Sequence, residues 1–233
     1  GDSFQPVSKP EDIFTEGRSD EFLNKWRIPY DEFILDLDNQ FTRLFDKLES
    51  SGLLDNTWLV FTSDHGELFE RGIWNHSTAA LYQPVIRVPL LIFEPGKQSG
   101  QDVYSPTSAI DLMPTLLHLT GHEIPHWAEG SILPPYAASP LTPNKGVFAV
   151  QARYNEPNFP ITQVSAMHVQ DNYKLIYYLG YEELGADKEH LLLYDIQSDP
   201  EELTDLSQTK REIAADLLNI IKNRLDESNE PYL

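Results

Sequence analysis

The chain has 233 residues, with Lys+Arg 17 against Asp+Glu 37 and a formal charge of −20. This charge disfavours nucleic acid or an anionic membrane as a partner over the general surface. An anionic substrate stays possible where a metal and a few cations reverse the field inside one pocket. There is no cysteine, which excludes disulfides, Cys-ligated metals and a Cys nucleophile within these residues. No apolar run approaches the ~18 residues of a membrane span. The N-terminal stretch GDSFQPVSKPEDIF has no basic n-region and no apolar h-region, so no signal peptide is expected in this segment. Cytoplasmic and periplasmic locations both stay open. Gly1 is not an initiator Met, and the segment reads as a piece of a longer protein.

In chain order, residues 1 to 28 read as an irregular lead-in. Tyr30–Ser50 reads as a helix whose buried stripe is Phe33, Leu37, Phe41, Leu44, Phe45 and Leu48. Gly52 suits a left-handed stop. Two short apolar runs follow, Trp58–Phe61 and Pro89–Phe93, and each reads as a buried strand. Between them a polar loop carries Asp64, His65, Glu67, Arg71 and His76, interleaved with Gly66 and Gly72. A short helix is expected from Ser77 through Tyr82. Strand-end loops of this kind are where open α/β sheets place ligands.

Ser108–Leu119 reads as a second amphipathic helix, with Pro114 confined to an early turn or bending it, and Gly121 ending it. Residues 122 to 146, with Pro125, Gly130, Pro134, Pro135, Pro140 and Pro143, mark a linker or irregular excursion. Then the pattern changes. Gly146–Gln151, Thr162–Gln170, Tyr173–Leu179 and Leu191–Ile196 read as strands, with Asp171-Asn172 as a hairpin turn. The acidic turn Asp199–Glu202 reads as a solvated face, and Thr209–Asp226 as a final helix. Divisions are expected at 28/29 and 145/146.

An Asp-His pair at a strand end offers a carboxylate oxygen and an imidazole nitrogen to a metal. Alone, it reads more simply as a hydrogen-bonded loop pair than as a metal site. The wider set resembles the sulfatase family of the alkaline phosphatase superfamily. TSDHGE follows an apolar strand, then come Arg71-Gly72, Trp74-Asn75-His76 and LYQPVIRVPLLIFEPG. The flanks YDEFILDLDNQFTRLFDKLESSGLLDNTWLVF, AIDLMPTLLHLTG, YKLIYY and LLLYDIQSDPEELTDL resemble the same family, so the likeness runs from Pro29 to Leu225.

The resemblance implies a partial α/β sheet of the alkaline-phosphatase-like kind, flanked by helices, plus a small C-terminal antiparallel sheet with a terminal helix. It implies Asp64 and His65 as metal ligands, His76 as the catalytic group that meets the sulfate or phosphate ester, and Glu67 as orienting that shell. Arg71 is placed loosely with the substrate, and Arg87 is expected to pack. The metal is a divalent ion, Ca²⁺, Mn²⁺, Mg²⁺ or Zn²⁺. His118, His122, His126, His168 and His190 match nothing and read as surface or core histidines.

Two parts of the family pattern are missing. There is no strand ending in Asp before Tyr30, and no C/S-x-P-x-R segment, the place of the formylglycine or serine nucleophile. The expectation is a sulfate- or phosphate-ester hydrolase whose nucleophile-bearing part lies outside these residues, and which is inactive as this segment. Two other readings stay open: a phosphoryl-group transferase on the same fold, and a silent interaction module. An open sheet edge would also permit homo-oligomers.

Overall fold

In the computed structural model the described residues are 7–97, 99–137, 146–153, 155–186 and 188–232. They fall in two compact units, residues 1–100 and 101–233.

The first unit is built on helix α1, Asp20–Ser50. It starts ten residues before the expected Tyr30. The side chain of Ser19 caps it by accepting from the Phe22 amide, and Asp20 and Glu21 complement the first-turn dipole. Pro29 sits inside the helix, at an intrinsic cost of about 3 kcal/mol. Tertiary packing offsets that cost. Leu23 is fully buried, and the rings of Phe22 and Trp26 lie 6.0 and 5.2 Å from that of Trp74.

After Gly52, which does take the left-handed conformation (φ 72°), strand β1 spans Leu59–Thr62 and pairs antiparallel with β4, Leu90–Phe93. Phe41 and Phe45 of α1 cover this pair, with centroids 4.8 Å from Phe61 and 5.1 Å from Phe93. The strands are not buried as expected: none of their residues is, and Leu90 and Leu91 are exposed. The helix stripe is likewise only half-covered, since Phe33, Leu37 and Leu44 are exposed. Two strands cannot cover a helix face of this length, and no further strand joins them among the described residues.

The intervening loop holds an unanticipated hairpin, β2 (Phe69–Glu70) with β3 (Ile73–Trp74). Its two turn residues, Arg71 and Gly72, have φ of 58° and 75°, the signature of a type I′ turn. The expected helix from Ser77 is absent. Asn75 and Thr78 side chains accept from the Ser77 and Ala80 amides instead, local bonds that compete with helix. A single helical turn, α2, forms at Gln83–Ile86.

The second unit contains α3, Leu112–Leu119, with Pro114 in its first turn and Gly121 left-handed just past its end. Pro140 and Pro143 lie outside the described residues. Strands β5 (Val147–Gln151), β6 (Val164–Gln170), β7 (Tyr173–Leu179) and β8 (Glu189–Asp195) form an antiparallel meander. Asp171-Asn172 closes the β6–β7 hairpin. Helix α4, Arg211–Asn229, packs Ala214, Leu217, Ile221 and Leu225 onto Val164, Ala166, Leu175, Tyr177 and Leu193. The acidic turn is not simply solvated. Glu202 is buried against Lys174 at 2.5 Å, because a buried lysine needs a counter-charge. Asp199 accepts from the Leu203 and Thr204 amides.

Candidate active site

The loop after β1 is pinned before it presents any chemistry. The amides of Gly66 and Glu67 donate to the carbonyls of Val85 and Pro84 at 2.8 and 3.0 Å. Gly66 approaches so closely that a Cβ there would lie 1.9 Å from the Pro84 oxygen. Only glycine fits this contact.

The pinned loop brings Asp64, His65, Glu67 and His76 together. The rings of His65 and His76 lie 3.9 Å apart, tilted by 33°. His76 Nδ1 is 3.1 Å from Glu67 Oε2. His65 Nδ1 is 2.9 Å from the Gly66 carbonyl, and its Nε2 is 3.6 Å from Asp64 Oδ2. Carbonyls and carboxylates only accept, so both Nδ1 atoms are assigned the proton. Each Nε2 then points away from its anchor. Glu67 is also felt beyond the loop: burial first, then the Glu67 and Asp31 charges, raise the Tyr30 phenol above its ordinary value.

Asp64 Oδ2 and His65 Nε2 lie 3.6 Å apart on an exposed loop, a separation that two ligands of one divalent ion span at normal bond lengths. A carboxylate oxygen and an imidazole nitrogen are both donor types that divalent ions take, so this pair fits a metal. It fits as part of a set. Among the described residues no group of three or more His, Asp or Glu gathers around one point.

Arg71 is not brought into this cluster. It is 4% exposed, its guanidinium lies 4.0 Å over the Tyr82 ring, and it faces Glu70 and the Pro10 carbonyl. Tyr82 in turn donates to Asp12 at 2.6 Å. Residues 12 to 18 clasp the hairpin, with the amides of Asp12, Glu16 and Arg18 donating to the carbonyls of Arg71 and Gly72. This strap went unread in the sequence because its partners are more than 50 residues away. A second clamp was readable. Ser108-Ala-Ile-Asp111 is a capping box ahead of an apolar run. Asp111 also accepts from the Ser131 amide at 2.7 Å. Thr115 donates to the Asp111 carbonyl and accepts from the Leu133 amide.

Comparison with known proteins adds independent findings. The family model described as Sulfatase matches residues 7–122, and that described as N-sulphoglucosamine sulphohydrolase, C-terminal, matches residues 70–230. The chain is 32% identical to arylsulfatase K of Xenopus laevis, over 78% of this chain and 33% of that protein. It is 31% identical to choline-sulfatase of Rhizobium meliloti, over 83% of this chain and 35% of that protein. It is similar to a solved protein in complex with its substrate D-glucosamine-2-N,6-O-disulfate. That likeness has 27% identity and a TM-score of 0.59, and covers 85% of this chain and 39% of that one. The chain thus spans about a third of the length of these curated relatives.

Proposed function

The chain belongs to the sulfatase family, and on that premise we propose that it is the C-terminal part of a metal-dependent hydrolase of sulfate esters. The observation that carries this reading is the His65–His76 stack held between Asp64 and Glu67. His76 is the group that meets the ester. With Nδ1 tied to Glu67, its Nε2 is the nitrogen left to donate to an ester oxygen, and the Glu67 carboxylate balances the charge of the doubly protonated ring. Asp64 Oδ2 and His65 Nε2 are two ligands of the metal. When bound, a divalent ion there supplies positive charge to the ester's oxygens.

The remaining ligands and the nucleophile belong to a part of the protein outside these residues. The relatives' greater length and the two-ligand set support this. The 233-residue chain alone is then inactive. Arg71 holds the hairpin and does not touch the ester, which its burial against Tyr82 supports. The divisions at 28/29 and 145/146 belong to the same proposal.

The test uses the longer polypeptide that contains this chain. Asp64→Asn and His76→Ala should each lower kcat/KM for an aryl sulfate by roughly 10²–10³-fold. Activity within tenfold of wild type in both variants would sink the proposal. Phosphate and phosphonate esters assayed alongside decide the ester class: faster turnover of either moves the reading from sulfate to that ester.

A further inference from the structure

We infer that Tyr82 is the positioning residue of this site, joining the two clamps that hold His76 in place. The inference rests on His76 meeting the ester. His76 lies between two pinned segments. On one side stands the β2–β3 hairpin. Phe69 pairs with Trp74, and the Asn75 amide donates to the Leu68 carbonyl at 3.0 Å, so where the hairpin sits, His76 follows. Residues 12 to 18 hold the tip of that hairpin through the Arg71 and Gly72 carbonyls. On the other side, Pro84 and Val85 pin Gly66 and Glu67. Tyr82 touches both clamps. Its carbonyl accepts from the Val85 and Ile86 amides and so starts α2. Its hydroxyl donates to Asp12 at 2.6 Å, and its ring lies under the Arg71 guanidinium at the hairpin tip.

Packing alone does not account for the hydroxyl. Tyr82 is 2% and Asp12 7% exposed. A phenylalanine would fill the same space, keep the Arg71 contact and remove the need for a buried carboxylate. A charge-assisted hydrogen bond is directional where apolar contact is not, and buried polar networks specify one arrangement. Asp12 uses its other oxygen to accept from the Phe14 amide at 2.8 Å, which fixes the turn of the strap itself. The Tyr82–Asp12 bond therefore sets the strap against the start of α2, and with it the place of His76 between them.

The experiment is a double-mutant cycle in the longer polypeptide that contains this chain, with Tyr82→Phe and His76→Ala alone and together, assayed on an aryl sulfate. Tyr82→Phe should lower kcat about 10- to 100-fold with KM held within about threefold, because misplacing a reacting group costs rate more than binding. Added to His76→Ala, it should cost less than about twofold more. A kcat within about twofold of wild type overturns the inference. So does an equal loss with and without His76, which is the behaviour of a merely structural residue. Should the phenylalanine variant unfold, Asp12→Asn enters the same cycle, and an uncoupled loss there overturns the inference too. Hydrogen exchange read by mass spectrometry needs no substrate. Tyr82→Phe should speed exchange of amides within 66–76 by about tenfold or more and leave those of 164–179 unchanged. Unchanged protection at 66–76 overturns the inference. If His76→Ala alone keeps the wild-type rate, it is the role of His76 in the hydrolase reading that fails, and the exchange result still decides the clamp.

Discussion

At the residue scale the tightest constraint is Gly66. Adding one methyl puts a Cβ 1.9 Å from the Pro84 oxygen, so Gly66→Ala must push the loop off α2. We expect a loss of about 1–3 kcal/mol in urea denaturation, and a broken His65–His76 stack in NMR. A second residue-scale test contrasts two lysines. Lys174 and Glu202 have side chains 0% and 1% exposed, whereas Lys222 and Glu189 pair in solvent. Lys174→Met removes the cation that pairs with a buried carboxylate and should cost about 3–5 kcal/mol. Lys222→Met should cost less than about 1 kcal/mol. Similar losses in both would contradict the burial argument. His168 gives the pH dependence. Burial lowers its pKa, the Gln170 hydrogen bond opposes that, and the Arg224 charge adds to it. The unfolded chain therefore takes up the proton first, at its ordinary pKa of about 6.5. The stabilisation is complete above that pH and is lost progressively as pH falls towards the lower folded value. The melting midpoint should drop more from pH 7.5 to pH 5.5 in wild type than in His168→Leu. Equal drops would remove His168 from the account. That Asp64, His65 and His76 lie close together was legible because they sit in one short stretch. Lys174 was not, since its partner lies 28 residues away and nothing local marks it as buried.

At the element scale, period and turn chemistry carried most of what could be read. The β6–β7 hairpin, the stops at Gly52 and Gly121, and the apolar side of α4 all follow from local pattern. The elements that escaped are those decided at long range. α1 continues through Pro29 because Trp74, far along the chain, receives its first turns. The β2–β3 hairpin has strands of two residues, too short to show a period, and its turn demands positive φ from an arginine. Helix α3 supplies a test at this scale. Thr115 is fully buried, and its hydroxyl both donates to Asp111 and accepts from Leu133. Thr115→Val keeps the shape and leaves the Leu133 amide unpaired, for a loss of about 1–3 kcal/mol. Thermal unfolding should show it, and faster proteolytic cleavage near residues 125–135 should accompany it. An unchanged midpoint would mean the clamp adds nothing.

At the scale of the whole molecule, the first unit exposes apolar side chains that a finished core would cover. Phe33 is 71% and Leu35 63% exposed on α1, and Leu91 of β4 is exposed as well. Patches of this kind seek partners, and an open strand pair offers backbone groups besides. The −20 charge opposes self-association and is screened by salt. Sedimentation velocity should therefore show association that grows with protein and salt concentration and weakens in Phe33→Ser/Leu35→Ser. A sharp monomer under all conditions would contradict this. The proposed site is incomplete in the same sense: among the described residues no three of His, Asp or Glu gather around one point beside Asp64 and His65. Its most direct test is aryl sulfate turnover by the purified 233-residue chain, assayed with each of Ca²⁺, Mn²⁺, Mg²⁺ and Zn²⁺. The account predicts no hydrolysis above the metal-only control. Catalytic turnover abolished by Asp64→Ala would show that these residues suffice for the reaction, and would contradict it.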